Sequence, residues 1–427
     1  MAFRFIHSAD LHLDSPLRSL ALRDAALADS VDTATRQALM RMVDLCLVER
    51  VNALVLAGDL YDGSQTSMKT ARFLCDQISR LDEAGIRVFI IRGNHDALSK
   101  ISHELVFPES VKIYTGHAEA VLVQPEASDP PVYIHGLSFA QAHVTESLLR
   151  KYKPAVSGAV NIGILHTSLG GAPGHDLYAP CSLAELGETG FHYWALGHIH
   201  KRSVNRLSNG CTIVMPGMPQ GRDIGEAGAK SVTLVTIRDN GAVETEERVV
   251  GPARFEKLTI NVADSLTWED LVRQLRRTLT KARDDIKAEQ LIARVSLTGQ
   301  TPLAWRIRRD QDLLKTELAM ATEMAGACWV EQLEIACQPP EAVRPMADNP
   351  LMELRRLIDQ QIIAEPGFQS EMMMIAEELI KQLPQECRKT LGNDEAARHA
   401  ILDQLAKEGA DDVLARFYAS AEAEADA

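Results

Sequence analysis

Short apolar segments alternate with helix-like segments over the first 250 residues. Six short, mainly apolar runs are typical of buried strands. They lie at residues 3–7, 53–57, 87–91, 132–136, 161–165 and 193–196. Between the first two runs, Leu39, Met42, Val43 and Cys46 recur at the spacing of one helical face, which predicts a helix packed on the core. This alternation predicts a layered α/β domain.

The pattern changes after residue 210. Three strand-like runs lie at 211–215, 232–237 and 243–250, and we expect them to be antiparallel and to close a second sheet. Gly251 and Pro252 then mark a boundary. Beyond it, one helix that begins at Thr267 with Asp270 in its first turn, and another near 310–325, predict a small α+β unit.

The last segment differs in composition from the rest. Pro339, Pro340 and Pro345 indicate a linker, after which the chain is rich in Glu and helical in pattern. Residues 341–427 hold 9 basic and 18 acidic residues, and so carry −9 of the chain's net charge of −14. The sequence therefore predicts three parts, at residues 1–252, 253–340 and 346–427.

Composition indicates a soluble globular protein. Hydrophobic residues make up 46% of the chain and charged residues 24%, and no apolar run reaches the ~20 residues that a membrane-spanning helix needs. The N-terminus lacks the basic start and long apolar stretch of a secretory signal. Seven scattered cysteines without a C-x-x-C pair suit reduced thiols. We therefore expect a cytoplasmic protein with no membrane association.

Five short segments place metal-ligating side chains at predicted strand ends. They are Asp10-Leu-His12, Gly58-Asp59, Gly93-Asn94-His95-Asp96, His166, and His198-Ile-His200. Their oxygen and imidazole ligands suit Mn, Fe or Zn, and in an extended D-x-H or H-x-H the alternate side chains point the same way. A lone His after a strand is more often an ordinary core or surface residue. Five such segments together favour a metal site, because α/β sheets present their ligands at strand ends.

The order of these segments resembles the calcineurin-like metallophosphoesterase superfamily, and within it the SbcD-type nucleases of DNA double-strand-break repair. The stretches GHDLYAPCSL (174–183), FHYWALGHIHKR (191–202) and PGMPQGR (216–222) are similar to the bacterial YhaO branch of DNA repair exonuclease-like proteins. The resemblance is specific over residues 1–250 and concerns only the general layout beyond them. It implies an α/β fold, a four-layer αββα sandwich with a small α+β capping domain and a helical C-terminal tail.

The same resemblance implies a pair of divalent cations, with Mn²⁺ expected and Mg²⁺ as the alternative. It assigns the ligands as follows: Asp10, His12 and His200 to one cation, Asn94, His166 and His198 to the other, and Asp59 as the bridge. A carboxylate suits the bridge because its charge tempers the repulsion between cations about 3.5–4 Å apart. Two such cations would activate water and stabilise in-line displacement at a phosphodiester.

Further residues near the ligands are candidates for catalysis. By resemblance, His95 contacts the scissile phosphate and helps the leaving oxygen depart, and Asp96 orients His95. Asp62 either belongs to the site or caps a helix. His175 and Asp176 lie in a Gly-rich loop that either contacts substrate or forms an ordinary turn.

Two positions depart from the pattern of the YhaO branch. Met218 and Asp223 stand where that pattern has PGN and GRH. Neither is among the expected ligands. The departures therefore bear on substrate detail and not on metal binding.

A basic helix face in the α+β unit is a candidate for DNA binding. Arg273, Arg277 and Lys281 share one face of the predicted helix. Duplex binding needs cations that face phosphates, and the resemblance makes this unit a capping domain that positions DNA. The alternative is a solvated helix face without a ligand.

The tail carries two apolar clusters at helical spacing. They are Leu351, Leu354, Leu357 and Ile358, and Met372, Met373, Ile375 and Leu379. Such helices suit packing on their own domain or docking in a partner's groove. Because SbcD-type nucleases bind the coiled-coil base of an SMC-like ATPase through C-terminal helices, the resemblance implies a YhaN- or SbcC-like partner, and also a homodimer.

The expected function is that of a metal-dependent DNA nuclease, of the 3'-5' exonuclease or endonuclease type, in DNA repair. One alternative is a metallophosphoesterase that acts on nucleotides or small phosphodiesters. The long chain beyond residue 250 favours the nuclease, because small-substrate members need little beyond the catalytic fold. The other alternative is a non-catalytic scaffold, against which the complete ligand set counts, since buried carboxylates and histidines are costly without a cation.

Overall fold

The computed structural model describes residues 2–15, 33–62, 67–98, 107–124, 130–141, 143–170, 178–340, 350–383 and 394–425. The chain divides into two compact units. The first comprises residues 1–257 and 283–293, and the second comprises residues 258–282 and 294–427. The three-part division at 252/253 and 340/346 stays a prediction.

The first unit contains two six-stranded sheets. Its strands are β1 (Phe3–Ser8), β2 (Ala53–Ala57), β3 (Arg87–Ile91), β4 (Val111–Ile113), β5 (Glu119–Gln124), β6 (Val132–Gly136), β7 (Val160–His166), β8 (Tyr193–Gly197), β9 (Ser203–Arg206), β10 (Thr212–Met215), β11 (Ser231–Ile237) and β12 (Val243–Val249). The strand orders are β12-β11-β1-β2-β3-β4 and β5-β6-β7-β8-β10-β9. The neighbours from β1 to β4 are parallel, as are those from β6 through β7 and β8 to β10.

Helices cover the outer face of each sheet. They are α1 (Ala34–Glu49) and α2 (Met68–Glu83) on the first sheet and α3 (Leu183–Glu188) on the second. Met42 and Leu74 pack against Leu54 and Ile90 of the first sheet, and Leu186 belongs to the cluster around Trp194 of the second. The inner faces of the two sheets share one apolar core. The four layers confirm the predicted αββα sandwich, and they explain why the central strands are apolar on both faces.

The prediction for the strands after residue 210 is wrong in two respects. β10 joins the second sheet in parallel, with Ile213 opposite Trp194. β11 and β12 are antiparallel as predicted, but they extend the first sheet, with Val235 opposite Phe5. Alternation identifies the buried face of a strand and says nothing about its neighbour, so these three runs could not be assigned to sheets from the pattern alone.

A three-stranded sheet follows the sandwich in sequence. It has the order β13 (Ala253–Asn261), β14 (Gln290–Thr298), β15 (Cys328–Ile335), with helices α4 (Trp268–Asp284), α5 (Ala304–Arg309) and α6 (Gln311–Ala325). The predicted start of α4 is confirmed: the Asp270 N–H donates to Thr267 Oγ1 (3.2 Å) and the Thr267 N–H donates to Asp270 Oδ2 (3.2 Å). One face of α4 is buried through Leu271, Leu275 and Leu279.

The C-terminal helices belong to the second unit. They are α7 (Pro350–Leu357), which continues into a π-helical turn at Ile358–Ile363, α8 (Pro366–Gln382) and α9 (Glu395–Ala425). Leu354 and Ile358 pack with Leu414 of α9 and Trp305 of α5. The nearly buried Arg308 pairs with Asp411 (3.2 Å). Within the described part of the chain, no helix is both long and apolar enough to span a bilayer.

Candidate metal centre

The candidate ligands lie where the chain leaves parallel strands. Because β1, β2 and β3 are parallel, as are β7 and β8, their carboxyl ends lie at the same edge of each sheet. Asp10 follows β1, Asp59 follows β2 and Asn94 follows β3. His166 is the last residue of β7, and His198 follows β8 directly.

Several ligands have a left-handed backbone. The φ angles are +53° at Asp10, +41° at His12, +53° at Asp59 and +101° at His198. Residues with a Cβ avoid this region, at a cost on the order of 1–3 kcal/mol each. The surrounding packing must therefore hold these conformations, as is common at functional sites.

Three glycines leave the space that the ligands occupy. A Cβ on Gly58 would lie 2.5 Å from His166 Nδ1, and φ at Gly58 is +94°. A Cβ on Gly93 would overlap Asp59 Oδ1, and one on Gly197 would overlap the carbonyl oxygen of Ala57. The G-D, G-N and G-H pairs of the sequence are therefore steric requirements of the site.

Asp10, His12 and His200 form the first ligand group. Each offers a ligand atom, and these atoms all lie within 4.8 Å of one another. Asp10 and His12 are buried, whereas the His200 side chain is 27% exposed. The Asp10 carboxylate also accepts the His198 N–H, at 3.1 and 3.0 Å from its two oxygens. This bond ties the loop after β1 to the loop after β8.

The two imidazoles of this group point lone pairs at each other. His12 Nδ1 donates to Asp62 Oδ1 (2.7 Å), and His200 Nδ1 donates to Glu226 Oε1 (2.7 Å). Both Nε2 atoms are then unprotonated in the neutral rings, yet they lie 3.2 Å apart. Two facing lone pairs repel unless a proton or a metal cation binds them, so in their neutral form these residues fit a metal ion.

Asp59, His166 and His198 form the second ligand group, with ligand atoms again within 4.8 Å of one another. His166 Nδ1 donates to the carbonyl oxygen of Ala57 (2.9 Å), so that in the neutral ring Nε2 carries a lone pair. That Nε2 lies 3.0 Å from Asn94 Oδ1 and 3.3 Å from Asp59 Oδ2. Three electron-rich atoms this close also fit a cation.

The pKa values of these buried groups are set by burial and by the charges that the groups exert on one another. Burial alone would lower the pKa of His166, but Asp59 and Asp10 outweigh it and raise that pKa to about 9. Burial opposes ionisation of Asp59, yet His166 holds the pKa of this carboxyl well below its usual range. Burial raises the pKa of Asp10. A site that attracts a proton this strongly also attracts a divalent cation.

The structure brings all seven predicted ligands into these two groups or beside them. Asn94 lies against His166, as the resemblance implied for one cation. Asp59 also accepts the His95 N–H at Oδ1 (3.0 Å). The bridging role of Asp59 and the assignment of Asn94 stay predictions. The fold and the two groups indicate two divalent cations.

His95 stands at the mouth of the site. Its side chain is 42% exposed, and its ring meets that of His12 edge to face, with centroids 5.2 Å apart. Its Nδ1 lies 3.9 Å from Asp62 Oδ1. Burial lowers the pKa of His95. An exposed imidazole beside both ligand groups is placed to meet a substrate.

The structure corrects the role predicted for Asp96. Its side chain is buried and accepts three backbone N–H groups, from Leu60 (2.9 Å), Tyr61 (3.2 Å) and Gly93 (3.1 Å). Both oxygens are thus directed at the loops after β2 and β3 and not at the His95 ring. Asp96 acts as a brace between two loops. The acidic neighbour of the His95 ring is Asp62. Of the two roles predicted for Asp62, membership of the site therefore agrees better with the structure than a helix cap.

Sequence reasoning missed Arg222 and Glu226. The Glu226 carboxylate bonds His200 and also accepts from the Arg222 side chain at 2.8 Å. Arg222 reaches Asp62 Oδ1 at 3.6 Å. One guanidinium therefore joins the two carboxylates that orient His12 and His200. The R-x-x-x-E spacing directly after PGMPQG was the available sign in the sequence.

The two departures from the branch pattern now have positions. Met218 is buried. Asp223 caps the short turn Ile224–Glu226 by accepting the Gly225 N–H at 2.7 Å, and this turn presents Glu226 to His200. His175 and Asp176, for which two roles stayed open, lie outside the described residues.

The predicted basic face exists on α4, but its charge is partly offset. Arg273, Arg277 and Lys281 are all exposed. Arg273 pairs with Glu269 (2.8 Å) and Asp270 (3.1 Å) of its own helix. Within the described ranges, Arg277 and Lys281 have no such ion pair. These two residues carry the remaining charge of the face.

The two apolar clusters of the tail have different environments. Leu354 and Ile358 pack on their own unit, as one of the two predicted alternatives required. On α8, by contrast, Met374, Ile375 and Leu379 are more than half exposed. Among the side chains that the structure describes in the two clusters, Ile375 and Leu379 of the second cluster are exposed, and Met374 beside them extends this apolar face.

Comparisons with known proteins agree with this geometry. The family described as calcineurin-like phosphoesterase matches residues 3–202, and the middle domain of metallophosphoesterase YhaO matches residues 255–338. The uncharacterized metallophosphoesterase YhaO of Bacillus subtilis is 33% identical over 298 residues, which cover 70% of this chain and 72% of that protein. The DNA double-strand break repair protein Mre11 of Methanopyrus kandleri is 26% identical over 297 residues, covering 64% and 62%. A component of the nuclease SbcCD of Staphylococcus epidermidis is 25% identical over 228 residues, covering 46% and 56%.

Proposed function

Because this chain belongs to the calcineurin-like metallophosphoesterases, in the branch of the YhaO proteins, we propose that it is a metal-dependent DNA nuclease that acts in DNA repair. The family is one of hydrolases that act on phosphoester bonds. The finer proposal is a 3'-5' exonuclease or an endonuclease, with Mn²⁺ as the expected metal and Mg²⁺ as the alternative.

The observation that carries the proposal is the pair of ligand groups at the strand ends. Asp10, His12 and His200 would hold one cation, Asn94, His166 and His198 the other, and Asp59 would lie between them. Bound cations would supply an activated water and positive charge for the transition state.

The side chains of the protein would do the rest of the chemistry. Asp62 and Glu226 hold His12 and His200 in the tautomer that leaves Nε2 free of a proton. A water molecule loses a proton to the solvent, and its oxygen forms the new bond to phosphorus as the ester P–O bond breaks. His95 then donates a proton to the leaving oxygen. Burial lowers the pKa of His95, and the negative charge of a bound phosphodiester acts in the opposite direction.

Two observations support DNA over a small phosphodiester. Relatives carry the names Mre11 and nuclease SbcCD. The chain also continues into a second unit with an exposed basic face on α4, for which we propose Arg277, Lys281 and, more weakly, Arg273 as DNA contacts.

The decisive experiment compares the wild type with Asp59→Ala on three substrates. They are linear DNA, circular DNA and bis(p-nitrophenyl) phosphate, each with Mn²⁺, Mg²⁺ or a chelator. We expect metal-dependent DNA cleavage that Asp59→Ala abolishes. Hydrolysis of the small diester without DNA cleavage would establish the small-substrate alternative. No hydrolysis of any substrate, with metal bound, would favour a scaffold.

Partner and location belong to the same proposal. The exposed face of Met374, Ile375 and Leu379 supports docking of α8 on a partner, for which we propose an SMC-like coiled-coil ATPase of the YhaN or SbcC type. A homodimer and a cytoplasmic location are also proposed. Co-purification of the chain with such an ATPase, and its loss on Ile375→Gln with Leu379→Gln, would test the docking.

A further inference from the structure

A cleft of about 690 Å³ opens beside one ligand of the candidate metal centre. Its wall includes His200 and the turn that carries Asp223 and Glu226, and it extends to Lys230 and Lys257. The volume is within the range of about 300–1,000 Å³ that is usual for ligand sites. A substrate bound at the metals can therefore continue into this cleft.

The charges of the cleft are unevenly neutralised. Glu226 is engaged by His200 and Arg222, and Asp223 accepts the Gly225 N–H. The positive charges come mainly from three lysines that line the cleft: Lys201, Lys230 and Lys257. None of their ammonium groups has an ion pair with a carboxylate of a described residue. In a chain with a net charge of −14, this leaves a local positive site.

Lys230 is the most informative of the three. It is only 8% exposed, and burial lowers its pKa. Burial is the largest effect on this pKa, and Glu226 and Asp223 act against it, yet neither carboxylate forms an ion pair with the ammonium group. A phosphate oxygen in the cleft would therefore be its direct partner. Gly221 and Gly251 give this side chain its room, since a Cβ on either would lie 3.0 Å from Lys230 Cε or 2.9 Å from Lys230 Cβ. The backbone at these two glycines therefore leaves room for the Lys230 side chain along the cleft wall.

We propose that this cleft binds the phosphate backbone of DNA next to the scissile bond, with Lys201, Lys230 and Lys257 as the phosphate contacts. The inference rests on the proposed nuclease function. A chain of phosphates spaced along a strand matches cations at the floor and rim of a cleft, whereas a single small diester would need only the metal centre. Phosphate contacts position a substrate without reading its sequence. The cleft therefore sets affinity and orientation and not base preference.

The test measures DNA binding as a function of salt. The full chain with Mn²⁺ is titrated into a labelled duplex with phosphorothioate linkages, and fluorescence anisotropy gives the affinity at each salt concentration. Each lost phosphate contact lowers the slope of log K against log salt by about 0.9. We expect Lys201→Gln with Lys257→Gln to lower the slope by about 1.8, and Lys230→Met to lower it by about 0.9.

The controls separate the cleft from the total charge and from folding. Lys69→Gln with Lys153→Gln removes the same charge from exposed sites outside the cleft and should keep the wild-type slope. Thermal unfolding shows whether the Lys230→Met protein is folded. If it is unstable, the test rests on the double variant Lys201→Gln with Lys257→Gln, whose sites are exposed. A wild-type slope in Lys201→Gln/Lys257→Gln, or an equal loss in the control pair, overturns the inference.

Cleavage of unmodified duplex by the wild type is measured in parallel. If the wild type cleaves DNA and the cleft variants keep the wild-type slope, the nuclease proposal stands and DNA binding in the cleft is refuted. Absence of DNA cleavage removes the nuclease proposal, while a slope lowered only in the cleft variants would still support nucleic-acid binding in the cleft.

Discussion

Each histidine ligand with a described Nδ1 bond is oriented by an oxygen behind it. Asp62 serves His12, Glu226 serves His200, and the carbonyl of Ala57 serves His166. Such outer partners fix the tautomer and the ring angle, so that the other nitrogen faces the metal. The two carboxylates differ from the carbonyl because Arg222 contacts both of them. The orientations of His12 and His200 are therefore coupled through Arg222.

Glu226→Gln should weaken metal binding at one of the two sites. The amide is neutral, so it holds the His200 Nδ1–H less strongly and no longer attracts Arg222. Loss of such a partner usually costs about 10–100-fold in metal affinity. Titration calorimetry with Mn²⁺ should show one weakened site and one unchanged site.

Glu244→Gln is the matched control for this variant. Glu244 is exposed and pairs with Arg238 on the surface, so its loss removes the same charge and should leave both sites unchanged. Wild-type binding in Glu226→Gln would show that His200 does not depend on its carboxylate.

His95→Ala should separate metal binding from turnover. The His95 ring lies beside both ligand groups, but its nitrogen atoms belong to neither. Loss of a general acid usually lowers the rate by about 10²–10⁴-fold. We expect a full metal content by elemental analysis and a loss of phosphodiester hydrolysis in that range. His117→Ala, at an exposed site, is the control, and normal hydrolysis by His95→Ala would refute the role.

At the scale of elements, the site depends on loops that are held to each other. Asp96 joins the loop after β2 to the loop after β3, and Asp10 joins the loop after β1 to the loop after β8. The strand ends alone bring the ligands to one edge. The braces between loops bring them to coordinating distance.

Asp96→Ala should destabilise the protein. It would leave the N–H groups of Leu60, Tyr61 and Gly93 without their acceptor in a buried place, at about 1–3 kcal/mol for each one left unsatisfied. Urea unfolding should show a loss of several kcal/mol. Asp76→Ala, at an exposed position of α2, should have little effect, and equal stability of the two variants would mean that water replaces the brace.

The sequence places the candidate ligands at strand ends but does not reveal the residues that support them, for a physical reason. Asp10 and His166 follow apolar runs whose parallel pairing brings the strand ends together, so their place can be inferred from a local pattern. Glu226 reaches His200 through a turn far along the chain, and only the tertiary fold defines that contact. Asp96 misleads because its neighbour in sequence, His95, points elsewhere. The place of β11 beside β1 depends on long-range pairing for the same reason.

At the scale of the whole molecule, an acidic chain must bind a polyanion through local positive sites. The net charge of −14 disfavours DNA at long range, but screening limits that repulsion to roughly 8–10 Å at physiological salt. Within that distance, the exposed cations of a single surface decide the interaction. The acidic tail then does not exclude DNA binding elsewhere on the chain.

Charge reversal on α4 tests whether the second unit contributes to DNA binding. Arg273→Glu with Arg277→Glu and Lys281→Glu should weaken DNA binding and flatten its salt dependence. The slope of log K against log salt should fall by less than the loss of three phosphate contacts would give. Glu269 and Asp270 already offset Arg273, so we expect the slope to fall by about 1.8, the equivalent of two contacts. Lys315→Glu with Lys381→Glu, at exposed sites of the same unit, is the control. An unchanged slope in the triple variant would identify the α4 face as solvated surface, because a phosphate contact cannot be lost without a smaller release of counterions.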